Sequence, residues 1–152
     1  MSCLPFREEL FVSNVKVEEN GRSAAFLNPD RLRFFRIKFD GGIVKNTIGA
    51  DFVVVKDGVG SVVVELKGTD IEHAVDQIDA TIGYVKSCKA PASNGKIEIS
   101  ALPVAGLIVC SRFPRASTTF QKRQKRFVSK HRSPLHCVSG KFEGLIEYVL
   151  KF

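Results

Sequence analysis

The chain has 152 residues, a formal net charge of +7 and 44% hydrophobic residues. That length suits one hydrophobic core, so residues 1–152 are expected to form a single domain. No stretch reaches the ~18 consecutive apolar residues of a membrane span, and the first ten residues lack the charged-then-apolar order of a signal peptide. The four cysteines, Cys3, Cys88, Cys110 and Cys137, are dispersed without C-x-x-C spacing. That argues against zinc and for reduced thiols in a cytoplasmic protein.

In chain order, Glu8-Glu9-Leu10-Phe11 could belong to a short first helix. Val15-Lys16-Val17 alternates like a strand, and Asn20-Gly21 marks a turn. Arg33 to Phe39 alternates as a further strand. Asp51-Phe52-Val53-Val54-Val55-Lys56 and Ser61-Val62-Val63-Val64-Glu65-Leu66-Lys67 then flank the turn signal Asp57-Gly58-Val59-Gly60, predicting a β-hairpin. Thr69-Asp70-Ile71-Glu72 fits a capping box with Thr69 as N-cap, and opens a helix over 70–87. On that helix Ile71, Ala74, Val75, Ile78, Ile82 and Val85 share one face, while His73, Gln77 and Tyr84 share another. Val104 to Cys110 reads as a buried strand, 117–131 as a helix with Phe120, Gln124, Phe127 and Val128 inward, Leu135 to Ser139 as a short strand, and Phe142 to Leu150 as a closing helix.

The hairpin carries the chemistry. Glu65 and Lys67 are two apart and share a strand face with Val63, whereas Val62, Val64 and Leu66 face the other way. Asp51 joins the Glu65 face only if it pairs with Glu65 or Lys67, which leaves a loop of three or five residues. A four-residue loop puts Asp51 on the wrong side. Gly58-Val59-Gly60 suits a three-residue loop with a glycine bulge.

An Asp at the start of one hairpin strand and a Glu-x-Lys at the end of the next resembles the PD-(D/E)XK nuclease superfamily. Asp51, Glu65 and Lys67 match its three positions, and Ala50 stands where the name-giving pattern has Pro. The resemblance covers residues 31 to 111, and more weakly 112 to 152. It implies an α/β fold with a restriction-endonuclease-like core, a central mixed β-sheet flanked by helices. It implies metal-dependent hydrolysis of phosphodiester bonds, in DNA, with Mg²⁺ or Mn²⁺ held by Asp51, Glu65 and the Leu66 carbonyl. Lys67 would position the attacking water and stabilise charge on the phosphate. RecB-like members carry a Gln and a Tyr on the following helix, usually four residues apart. Gln77 is the counterpart here, and Tyr84, seven residues on, is a further candidate with His73. An upstream acid often joins from the first helix, a role Glu8 or Glu9 could fill. Such small domains often accompany mobile-element or anti-phage systems.

Charge supplies a second clue. Between Glu98 and Glu143 there is no acid, but nine bases: Arg112, Arg115, Lys122, Arg123, Lys125, Arg126, Lys130, Arg132 and Lys141. The other 14 bases face 16 acids, so this segment supplies the whole excess. A basic helix suits a phosphate backbone, and the sparse large apolar residues among the charges fit a membrane surface poorly. Three readings remain open: a DNA nuclease, an inactive nuclease-fold module that binds nucleic acid or a protein partner, and an RNA-directed or toxin-like nuclease. A homodimer is an open option for each.

Overall fold

The computed structural model describes residues 7–39, 49–67, 70–88, 99–111 and 118–152, with the side chain of Lys67 outside that set. Nine strands are described: β1 (Glu8–Leu10), β2 (Asn14–Glu19), β3 (Arg22–Leu27), β4 (Phe34–Lys38), β5 (Phe52–Lys56), β6 (Gly60–Lys67), β7 (Val104–Cys110), β8 (Leu135–Ser139) and β9 (Lys141–Gly144). The helices are α1 (Ile71–Lys86), α2 (Thr118–His131) and the single turn α3 (Ile146–Val149).

A six-stranded mixed sheet runs in the order β1-β4-β5-β6-β7-β8. Its first four strands pair antiparallel, and β6, β7 and β8 run parallel, joined through α1 and α2. Two successive crossovers in one direction put both helices on the same face of the sheet. There α1, Phe120 and Phe127 of α2, and Val53, Val55, Val63 and Ile108 share one core. The opposite face is covered by a three-stranded sheet, β2-β3-β9, together with α3. Val54, Val62, Val64, Ala105, Leu107 and Val109 point into that second core. The central strands read as continuous Val runs because both of their faces are covered.

The β5–β6 register decides the site. Lys56 pairs with Gly60 and Phe52 with Val64, leaving the three-residue loop Asp57-Gly58-Val59. Val59 N–H donates to Lys56 O, 3.0 Å, and Gly58 takes φ +75°, a conformation that costs an L side chain energy. Arg33 anchors the loop through a 2.7 Å ion pair to Asp57. Gly106 lies where α1 and β8 converge on β7. A Cβ there would meet Ile78 Cγ2 and Leu135 Cδ1 at 2.8 Å each.

Four elements depart from the sequence reading. Glu8-Glu9-Leu10 forms a strand, because β4 offers a free edge and Glu8 pairs with Arg36 at 3.0 Å. The α1 N-cap is Asp70, whose carboxylate accepts from His73 N–H at 3.0 Å; the expected cap, Thr69, lies outside the described residues. The closing helix shortens to α3, since 141–144 alternates at period two and pairs with β3 in parallel. Cys88 is disulfide-bonded rather than reduced, while Cys110 and Cys137 are free thiols on adjacent strands. Among the described residues no helix is long and apolar enough to cross a membrane.

Candidate metal centre and nucleic-acid surface

At the open end of the hairpin the β5–β6 register places Asp51 opposite Glu65. Both carboxylates are buried, at 8% and 1% exposure. Burial of ionised carboxylates is costly unless hydrogen bonds compensate. Here the two side chains replace the next rung of the ladder. Asp51 N–H donates to Glu65 Oε1 at 3.1 Å, and Leu66 N–H donates to Asp51 Oδ2 at 2.8 Å. The main chain of Asp51 is tied from the other side by Phe39 N–H, 2.9 Å from Asp51 O. The odd loop, the shared strand face and the pairing of the two acids thus follow from one register.

A third carboxylate reaches this point. Burial pushes the Asp51 carboxyl up from 3.8 to about 6; the Leu66 N–H opposes the rise, and the charge and hydrogen-bonding contact of Glu19 add to it. Glu19 ends β2 beside the turn at Asn20 and Gly21, where both residues take positive φ. The neighbouring Arg22 donates through Nε to Ser111 Oγ at 2.8 Å, just beyond the end of β7. The small sheet therefore delivers an acid to the large one. Sequence reasoning looked to Glu8 and Glu9 for an upstream acid and gave no role to Glu19. Glu8 instead pairs with Arg36, and Glu9 sits opposite Phe35 on the edge strand. The one sequence signal for Glu19 was its place before Asn20-Gly21, which says nothing of its distance from Asp51.

Lys67 ends β6, two residues beyond Glu65, and its backbone pairs with Cys110 of β7. Its side chain lies outside the described residues, as do Arg112 and Arg115. Gln77 is 8% exposed and donates from Nε2 to Gly49 O at 3.2 Å. Its buried Oε1 has no hydrogen-bond partner among the described residues. One turn on, Thr81 Oγ1 accepts from Ala50 N–H at 2.8 Å and donates to Gln77 O at 2.9 Å. Gln77 and Thr81 thus clamp residues 49 and 50, the segment that leads into Asp51. Tyr84 packs edge-on against Phe39, 5.2 Å between centroids. His73 is exposed in the first turn of α1.

The donor set is all oxygen: two facing carboxylates and the backbone of Leu66, with the charge of Glu19 nearby. Hard cations such as Mg²⁺ take one or two carboxylates and complete their shell with water and phosphate oxygens. A carboxyl raised by burial and by a neighbouring acid, as Asp51 is, is also one that a bound cation would relieve. On those two grounds the residues fit a hard divalent cation. Among the described residues, no group of three or more His, Cys, Asp and Glu side chains is placed to hold a metal ion together, so protein carboxylates would supply only part of the shell and water the rest.

The basic helix divides in two. Arg123 forms a 2.8 Å ion pair with Asp76 and approaches Glu72 at 4.0 Å. Lys130 pairs with Asp79 at 3.1 Å, and His131 also contacts Asp79. These pairs lash α2 to the acidic flank of α1. Lys122 and Lys125 are exposed on the side of α2 away from these pairs, Arg126 is exposed beside Arg123 and Lys130 near the acidic flank of α1, and Arg132 is exposed just past the helix end at φ +53°.

Compared with protein-family models, curated proteins and solved structures, the chain matches none.

Proposed function

We propose that this chain is a metal-dependent nuclease of the PD-(D/E)XK kind, hydrolysing phosphodiester bonds in DNA with Mg²⁺ or Mn²⁺. The observation that carries the reading is the register that sets Asp51 against Glu65 with Lys67 two residues further along β6. Asp51, Glu65 and the Leu66 carbonyl would hold the cation. When bound, the cation supplies an activated water and charge neutralisation at the scissile phosphate. Glu19 would add negative charge beside Asp51 that favours a bound cation. Lys67 orients the nucleophile and stabilises the charge that grows on the phosphate oxygens. Gln77 holds the approach to Asp51 in place. Lys122, Lys125, Arg126 and Arg132 track the phosphate backbone.

A second reading rests on a specific observation as well. Each acid already accepts a backbone N–H, so the pair also works as a hairpin clasp. An inactive nuclease-fold module that binds nucleic acid or a protein partner would keep that clasp and the basic helix. A cleavage panel separates the two: duplex, single-stranded and branched DNA and RNA, with Mg²⁺ or Mn²⁺, beside a Lys67→Ala control. Cation-dependent cleavage lost in the control supports the nuclease. Binding without cleavage on every substrate supports the module.

A further inference from the structure

Beside the carboxylates, on the face turned toward the small sheet, lies a cleft of about 490 Å³ bounded by Glu8, Lys16, Val17, Glu18, Arg36, Lys38 and Phe52. Phe52 directly follows Asp51 and sits opposite Lys38 in the β4–β5 register. The next residue of β4's strand direction, Phe39, donates its N–H to Asp51. Along β2, the residue after Glu18 is Glu19, which contacts Asp51. The cleft is therefore one residue removed from the candidate centre on each of three chain segments, which by the period of two sets it on the opposite face of β5, around the open end of the hairpin from Asp51 and Glu65.

Its charges are unequal in availability. Lys16 is paired with Glu18 at 2.8 Å, and Arg36 with Glu8 at 3.0 Å, with a further bond from Arg36 to Lys16 O. Lys38 has no carboxylate partner among the described residues; its ammonium lies 6.0 Å from the Phe52 ring centroid. The cleft thus presents one half-buried aromatic ring and one exposed, uncommitted cation. An aromatic face with a mobile cation beside it is how single-stranded nucleic acid is gripped without sequence readout: a base stacks on the ring and the ammonium meets the phosphate. The volume falls within the ~300–1,000 Å³ of small-ligand clefts, enough for one nucleotide and too little for a stacked duplex.

We propose that this cleft is a flanking-nucleotide subsite that seats one unstacked base on Phe52 with its phosphate on Lys38, giving the site a preference for single-stranded or frayed ends. The inference rests on the nucleic-acid reading above, and deepens it by naming the substrate form. A base held there requires the strand to leave its helix and pass around the open end of the hairpin to reach Asp51 and Glu65. Duplex binding draws instead on the α2 cations, which lie on the other face of the sheet.

The test is fluorescence anisotropy of a labelled oligo-dT and a labelled blunt duplex, in EDTA so that no turnover intervenes. Wild-type protein is compared with Phe52→Leu, which keeps apolar volume and removes the π-face, and with Lys38→Gln at the surface. Thermal melts confirm that each folds. Phe52→Leu should weaken oligo-dT about tenfold, within the ~1–3 kcal/mol of one stacked base, and leave the duplex within about twofold. Lys38→Gln should reduce the oligo-dT salt slope by ~0.7. Equal losses on both ligands, no loss on either, or equal displacement by poly-glutamate would each overturn the subsite. The readout is separate from the nuclease reading. Wild-type protein that shows these differences but cleaves nothing keeps the subsite and loses the nuclease, whereas cleavage with unchanged Phe52→Leu binding does the reverse.

Discussion

Glu65 accepts the N–H of Asp51, and Asp51 accepts the N–H of Leu66, so each acid holds the strand that carries the other. Charge-assisted bonds of this kind are stronger than neutral ones. They keep two buried carboxylates in place before any cation arrives. The roles of neighbouring residues should then separate by mutation. Lys67→Ala should abolish cleavage while leaving Mn²⁺ affinity unchanged or tighter, because a positive charge beside the cation is removed. Calorimetric titration beside a cleavage assay measures both, and full activity in that variant would remove Lys67 from the mechanism. Thr81 offers a second residue-scale test. Thr81→Val leaves the buried Ala50 N–H without its 2.8 Å acceptor. Its cost should be roughly 1–3 kcal/mol of stability by chemical denaturation, with a loss of cleavage at fixed Mg²⁺ because the segment entering Asp51 loosens.

Between elements, the α1–α2 contact uses charge for attachment where the bare sequence suggested only a phosphate surface. Reversing Lys122, Lys125 and Arg126 to Glu should weaken DNA binding and lower the salt slope by up to ~0.9 per lost phosphate contact. Arg123→Glu should act differently, since it sets a negative charge against Asp76 and Glu72; thermal melts should show lost stability. Asp79 gives this interface a pH dependence. Burial alone would raise its carboxyl, but hydrogen bonds from His131 and Lys130 outweigh burial and hold it below 3.8. A lowered carboxyl contributes stability above its unfolded value, and that contribution is lost as pH falls through the folded value. The pair is partly solvated, so Asp79→Asn should cost no more than ~0.2–1 kcal/mol at pH 6. The gap from wild type should narrow steadily as melts are taken below pH 4; a gap that stays constant as pH falls would assign the loss to packing.

The same interface shows why some elements were legible and others were not. α1 and α2 repeat their apolar residues at 3.6, the hairpin sets two continuous Val runs around a turn signal, and the boundaries of all three fall within a few residues of expectation. The odd loop was legible because parity alone constrains it. Glu8-Glu9-Leu10 was misread because three residues carry no period, and only the free edge of β4 makes them a strand. Phe142 to Leu150 was misread because its apolar spacing serves a strand and then one helical turn, divided by a pairing with β3 that is distant in sequence.

At the scale of the whole molecule, the fold is mixed α/β with α1 and α2 on one face of the large sheet and the small sheet with α3 on the other. The second layer was not foreseen, because it joins β2 and β3 to β9 across most of the chain. That layer carries Glu19 to Asp51, and it walls the cleft at Phe52. If the small sheet serves the site as well as the core, Glu19→Gln should weaken Mn²⁺ binding less than loss of Asp51 or Glu65 does, and should leave the thermal midpoint of the metal-free protein unchanged or raised, since one of the crowded acids is neutralised. A lowered midpoint would assign Glu19 to the packing of the small sheet instead. The most direct test of the central claim is calorimetric titration of Mn²⁺ into the wild-type chain and into Glu65→Gln, which keeps an acceptor for the Asp51 N–H but loses the charge. One Mn²⁺ site is expected in the wild type, lost or weakened at least tenfold in the variant. Equal Mn²⁺ binding by both proteins, or none by the wild type, would contradict a metal centre at Asp51 and Glu65.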